Sequence, residues 1–298
     1  MEKKRYDILS IGYISLDNNI DCQNKKVIEL GGAVTYSSAA AFALGHNVGV
    51  VTKLKKDSFQ RLSALVIPKE DIFWKETKNE VAMQNKFFTP DKEKRECICL
   101  SKGDKFTIED IPSVESEIFH FGGLVFGEFD DELIIELSKK GKTAVDVQGF
   151  LRHADLETGR LSFKDWETKK EIFPYIDYLK TDAAEAEILS KTDDREKAAR
   201  LFFEWGAKEI VITHNSEVIS FDGKEIKRCP IKARNLSGRS GRGDTTFAAY
   251  ITERINNSVE DSLLFATACV SLKMENYGPI KADRKEIINY IKEFYEQK

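Results

Sequence analysis

The sequence predicts a mostly parallel, doubly wound α/β domain with helices on both faces and a small second sheet beside it. Three observations carry that expectation. Short apolar runs alternate with amphipathic segments along most of the chain, which is the pattern of βαβ units. Residues 17–30 and 80–103 break the rhythm with polar alternation and turn residues, as exposed antiparallel strands do. The chain has 298 residues, 41% of them hydrophobic, enough for one large α/β core spanning 1–298.

In chain order, YDILSIGYIS (6–15) is rich in strand formers and ends in polar residues. AVTYSSAAAFALG (33–45) is rich in small residues and stops at Gly45, a helix with its C-terminal signal. NVGVVTKL and EIFHFGGLVF read as strands, the second followed by a helix over 130–140. TAVDVQGF, IDYLKTD and EIVITHN are further short buried runs. Helical patterns cover 184–191, 194–205, 244–256, 258–276 and 283–295. The two irregular stretches place a small lid sheet at about 17–29 and 81–100.

Ligands of open α/β sheets sit beyond the carboxyl ends of the strands. Those ends deliver Asp17, Gly122, Gly123, Asp146, Gln148, Asp182, Glu185, Thr213 and Asn215, from segments far apart in sequence. Composition narrows the function. Lys plus Arg is 46 against 50 Asp plus Glu, interspersed, which argues against a nucleic-acid partner. No apolar run reaches signal-peptide or membrane-spanning length, and the five cysteines form no CxxC pair. The expectation is a cytoplasmic protein with reduced thiols and no membrane association. The four histidines show no metal-type spacing, and there is no GxSxG nucleophile elbow. No GxGxxG follows the first strand, against a dinucleotide-dependent oxidoreductase.

The most informative stretch is GRSGRGDTTFAAYITERI (238–255). Its Arg242-Gly243-Asp244 could be an adhesion tripeptide on an exported protein, but no export signal accompanies it. Read physically, Gly241 and Gly243 permit a turn whose successive N–H groups point into one space. An amphipathic helix follows, and its first-turn amides form an anion site. A carboxylate at Asp244 beside that cradle suits phosphoryl transfer to a hydroxyl, with the amides stabilising charge and the carboxylate accepting the proton. The structural alternative is that Asp244 is simply the helix N-cap.

This turn and helix, together with GGAVTYSSAAAFALG near the N-terminus, resemble the two signature regions of the ribokinase/PfkB-type carbohydrate kinases. DAAEAEILSK resembles the family's Asn-x-x-Glu segment and AVDVQGFLR its Asp-x-Asn-x-x-Arg-like strand end, in matching order over nearly the whole chain. The resemblance implies a three-layer body with a small β lid, and ATP- and Mg²⁺-dependent phosphorylation of a sugar, polyol or nucleoside hydroxyl. It implies Asp244 as general base and Gly241, Arg242 and Gly243 as the anion-hole turn. For the acceptor it implies Asp17, Gly31, Gly32, Tyr36 and Gln148. For the nucleotide it implies Asp182, Thr213 and Arg239, and Cys269 and Asn276 on a helix (with Ala266) bordering the adenine pocket. Glu185 matches the residue that organises Mg²⁺ through water. Some relatives pair lids between subunits, so a homodimer is an expectation too.

The departures are informative. The first Asp of the usual Asp-Thr-x-Gly-Ala-Gly-Asp is absent, which counts against a monovalent-cation site built on that loop and leaves cation dependence open, and Arg239 and Arg242 appear instead. Asp182 replaces Asn, Tyr36 stands where many members have Asn, and the nucleotide loop is shortened to THNSEV. GRSGRGDT, DVQGFLR and THNS together resemble the myo-inositol kinase-like bacterial subgroup, which implies a ring polyol as acceptor. A nucleoside kinase of the same fold and a non-catalytic small-ligand-binding protein are the rival readings.

Overall fold

The computed structural model describes residues 4–89, 94–155 and 157–296. Its strands are β1 Arg5–Gly12, β2 Ser15–Ile20, β3 Lys26–Gly31, β4 Val48–Leu54, β5 Ile72–Glu76, β6 Ala82–Phe87, β7 Arg95–Ser101, β8 Glu115–Gly122, β9 Lys142–Asp146, β10 Arg152–Ala154, β11 Leu161–Phe163, β12 Tyr178–Asp182, β13 Glu209–Thr213, β14 Glu217–Phe221 and β15 Ile226–Pro230. The helices are α1 Ala33–Ala43, α2 Asp131–Ser138, the single turns α3 Gln148–Leu151 and α4 Lys169–Ile172, then α5 Ala183–Ser190, α6 Arg195–Glu204, α7 Arg242–Glu253, α8 Val259–Met274 and α9 Arg284–Phe294.

Nine strands form one sheet in the order β15-β14-β13-β12-β9-β8-β1-β4-β5. All neighbours from β13 to β5 pair in parallel, and only the β13–β14 and β14–β15 pairings are antiparallel, so β14 alone runs against the rest. Period-two alternation splits the core into two layers. Leu9, Ile11, Ile210 and Ile212 pack with Leu133, Ala186 and Phe202 from α2, α5 and α6. Ile8 and Val211 point the other way, to Phe247, Ile251, Ala266 and Ile287 from α7, α8 and α9. Helices therefore cover both faces, as parallel strands buried on both sides require.

The small sheet has the order β3-β2-β6-β7. It occupies the two stretches that break the αβ rhythm, apart from residues 90–93, which lie outside the described residues. One expectation needs correcting: the sheet is not wholly antiparallel, because β2 and β6 pair in parallel. The reason lies in connectivity. β2 leaves β1 across Tyr13-Ile14 and β6 arrives after β4 and β5, so both start from the same edge of the large sheet.

Candidate active site

The carboxyl ends of β9, β12 and β13, the inner face of the small sheet and the start of α7 surround a cavity of about 650 Å³. Its floor is the glycine turn. α7 begins at Arg242, two residues earlier than the apolar stripe suggested, with Gly241 as N-cap at φ 74°. Asp244 is thus in the first turn and is not the cap, which disposes of the capping alternative. The Arg242 amide already bonds back to Arg239 O at 3.3 Å, so Gly243 and Asp244 carry the first-turn amides that remain for a ligand. The turn is packed hard: a Cβ on Gly241 would sit 2.1 Å from the Tyr36 ring. Burial, and next Asp146, push the Asp244 carboxyl up to about 6, against the pull of Lys180, Arg152 and Lys273.

Lys180, on β12, runs beneath the cradle. Its Nζ lies 2.9 Å from Asp146 and 3.7 Å from Glu185, and 3.1 Å from where a Cβ of Gly243 would be. Burial works against its charge, but Asp146, Glu185 and Asp182 more than offset that and raise its pKa. The cavity therefore keeps a fixed positive charge next to the helix terminus.

On the small-sheet side, Asp17 and Glu29 are register partners on the inner face, and Asn19 lies two residues along it. Asp17 accepts from Ser15 Oγ at 2.7 Å. Burial raises its pKa, opposed by Ser15 and then Arg95. Gln148 lines the cavity, donates to Gly123 O at 3.2 Å and accepts from Arg152. Arg242 donates to Asn215 Oδ1 at 2.7 Å, joining the turn to the end of β13.

Of the residues expected at the site, Tyr36, Gln148, Asp182, Thr213, Arg239 and the Gly241–Asp244 turn all line this one cavity. Asp17 is half-buried and within electrostatic reach of Tyr36 and Arg152. Four placements differ from expectation. Gly31 and Gly32 stand behind the cavity wall, for steric reasons of their own. A Cβ on Gly31 would meet the Asp17 carboxylate at 2.3 Å, and Gly32, at φ 95°, presses on Tyr13 O. Glu185 is 3% exposed and closes a capping box with Asp182, so it reaches the cavity only through Asp182 and Lys180. Cys269 is wholly buried in the α7–α8 core, as is Ala266. Asn276 is exposed, off the cavity, with its carbonyl covered by Gly238. A helical stripe gives the phase of a helix but not which neighbour fills each side.

Lys180, Arg95, Arg152 and Lys273 also line the cavity, beyond the residues expected there. Lys180 and Lys273 carried a usable signal: each is a lysine flanked by apolar residues, Leu179 before one and Leu272 and Met274 around the other. Arg95 sits in an ordinary charged run and carried none.

Mg²⁺ can be weighed against these side chains. Among the described residues no group of three or more His, Cys, Asp or Glu could hold a metal. Asp146 and Asp182 do line the cavity, hard oxygen donors that suit an ion held mainly by water and phosphate.

A carboxylate and first-turn amides at a helix start, with a second sheet beside the same cavity, are the arrangement a phosphotransferase of the ribokinase type requires. Residues 23–286 match the family model described as pfkB family carbohydrate kinase, and the chain belongs to that family. A solved structure of a pyrophosphate-dependent kinase in the ribokinase family, complexed with a pyrophosphate analog and myo-inositol, superposes with a TM-score of 0.85. It is 31% identical and covers 95% of this chain and 99% of its own. A cytidine kinase of Thermococcus kodakarensis is 24% identical over 82% of this chain and 87% of its own length. A 5-dehydro-2-deoxygluconokinase of Clostridium botulinum is 23% identical over 99% of this chain and 95% of its own. Among the described residues no helix is long and apolar enough to cross a membrane.

Proposed function

We propose that this kinase transfers a phosphoryl group from a phosphate anhydride to a hydroxyl of a ring polyol such as myo-inositol. The observation that carries the reading is the joint placement of Asp244 and the α7 amides on the floor of one cavity. Asp244 accepts the proton of the attacking hydroxyl. A base whose pKa is about 6 is ionised at neutral pH yet basic enough to help. The Gly243 and Asp244 amides and the Lys180 ammonium stabilise charge on the group in flight. Asp17, Tyr36 and Gln148 orient the acceptor. A bound Mg²⁺, with Asp182 and Asp146 facing it, would neutralise donor phosphate charge. The small sheet acts as a lid that excludes water from the transfer.

Pyrophosphate is favoured over ATP as donor. The loop before α7 is stitched to the end of α8: Gly238 N bonds Met274 O at 2.7 Å and Ser237 Oγ bonds Glu275 O at 3.0 Å. Two residues expected to border an adenine, Cys269 and Asn276, are off the cavity, while Arg239 and Arg242 line it. Guanidinium forks suit phosphate oxygens and need no base contact. A second acceptor reading, an acidic sugar, is supported by Arg95 and Arg152 beside Asp17. Phosphate-transfer assays with pyrophosphate and ATP against polyols, acidic sugars and nucleosides test all of this. Transfer from pyrophosphate to myo-inositol is the expected outcome. Absence of transfer from either donor to every acceptor would overturn the kinase reading for this chain.

A further inference from the structure

We infer that Lys273 is a positioning residue whose buried ammonium acts as a tethered cation, holding the donor loop in its binding shape. The inference rests on the reading that this loop receives the donor. Lys273 is 1% exposed, in the last turn of α8. Its Nζ donates to Gly238 O at 2.5 Å and to Ser240 O, and lies 5.0 Å from the centre of the Tyr36 ring. A buried lysine is costly unless its charge is matched. Here the match includes two loop carbonyls, the negative end of α8, an aromatic face and the charge of the Asp244 carboxylate.

The consequence falls on the cradle. Two carbonyls from residues 238 and 240 converge on one point, an arrangement that repels itself unless a cation sits between them. The next residue is Gly241, the N-cap of α7, and the Arg242 amide bonds back within the same loop. The ammonium therefore fixes the backbone that leads directly into the anion-binding amides. The loop has little other freedom to compensate, because Gly238 is pressed against Asn276 O so closely that a Cβ there would lie 1.6 Å away. A tethered ammonium also removes any need for an exchangeable monovalent cation at this point.

The test compares Lys273→Met and Lys273→Ala with the wild type, using pyrophosphate or ATP, whichever the wild type accepts, at several concentrations of K⁺, NH₄⁺ and methylammonium. Wild-type activity is expected to be indifferent to these ions at constant ionic strength. Lys273→Met, which fills the space without charge, should raise the donor KM at least fivefold and lower kcat, with the acceptor KM unchanged. Lys273→Ala should show the same loss and recover at least threefold with a small cation. Hydrogen exchange over residues 234–241 should quicken in both variants and slow again in Lys273→Ala with the rescuing ion. That readout does not need turnover, so it separates this inference from the kinase reading. Donor kinetics of Lys273→Met within twofold of wild type would overturn the inference. So would a Lys273→Ala loss that no small cation restores and that tracks a uniform fall in melting temperature.

Discussion

On the proposed reading the chemistry turns on Asp244, and its environment makes two opposite demands. Burial and Asp146 raise its pKa from the ordinary carboxylate range to about 6. For catalysis the ionised form is needed, so kcat/KM should rise about tenfold per unit below pH 6 and level off above it. For stability the sign is reversed. The folded state prefers the protonated acid, so its contribution is fully present below the unfolded value near 4 and is lost as pH rises through 6. Asp244→Asn should therefore abolish most turnover, on the order of a hundredfold or more. It should melt higher than wild type at pH 7.5 but not at pH 4. Calorimetry at the two pH values with paired activity assays checks both; a variant that is inactive and also less stable at pH 7.5 would contradict the raised pKa. Arg242 offers a separate test. Arg242→Ala should raise the donor KM and leave the acceptor KM unchanged, and equal donor kinetics would remove its assigned role. That these residues gather at one cavity was readable in the sequence because a carboxylate and two glycines at a helix start have few structural explanations. Lys180 was not assigned, since its partners Asp146 and Glu185 come from other segments and only the fold brings them within 2.9 and 3.7 Å.

At the scale of elements, the junction of α1 with α7 decides whether the cradle exists. Tyr36 from α1 lies against Gly241, so the turn can be closed only by a residue without a Cβ and with φ near 74°. Gly241→Ala meets both obstacles. It should destabilise the fold by about 1–3 kcal/mol through the positive φ and displace the first-turn amides, so the loss of activity should exceed what unfolding explains. Measuring kcat at 20 °C on protein shown to be folded separates the two effects; full activity there would show that the Tyr36 contact does not shape the site. The periodic elements were legible because strands buried on both faces read as apolar runs and α7 keeps its stripe. Edge elements were not. β15 (IKRCP) is mostly polar and β5 (IFWKE) is a run of only three apolar residues, both too short to stand out, as strands covered on fewer sides can be. Gly31 and Gly32 also carry a steric requirement, crowding by Asp17 and Tyr13, which depends on a register no local pattern reveals.

For the molecule as a whole, charge placement matters more than charge total. The chain is net −4, yet the cavity collects Arg95, Arg152, Lys180, Arg239, Arg242 and Lys273. Against them stand Glu29, Asp146, Asp182 and Asp244. An acidic molecule with its cations gathered in one concave site draws anions there and repels them elsewhere. Such attraction is screened over a Debye length of about 8 Å at physiological salt, comparable to the distance across a small-molecule site. The donor is polyanionic under either reading, so its KM should climb several-fold between 50 and 500 mM NaCl. The acceptor separates the readings. Myo-inositol is neutral, and its KM should stay within about twofold over the same range, because hydrogen bonds of a neutral acceptor with Asp17, Tyr36 and Gln148 are little affected by salt. An acidic sugar held by Arg95 and Arg152 would instead lose affinity in parallel with the donor. Steady-state kinetics in both substrates across that salt range therefore report which side of the cavity Arg95 and Arg152 serve. Parallel salt dependence for donor and acceptor would assign Arg95 and Arg152 to a charged acceptor and displace the neutral polyol. A flat donor response would show that the gathered cations do not act on the donor at all.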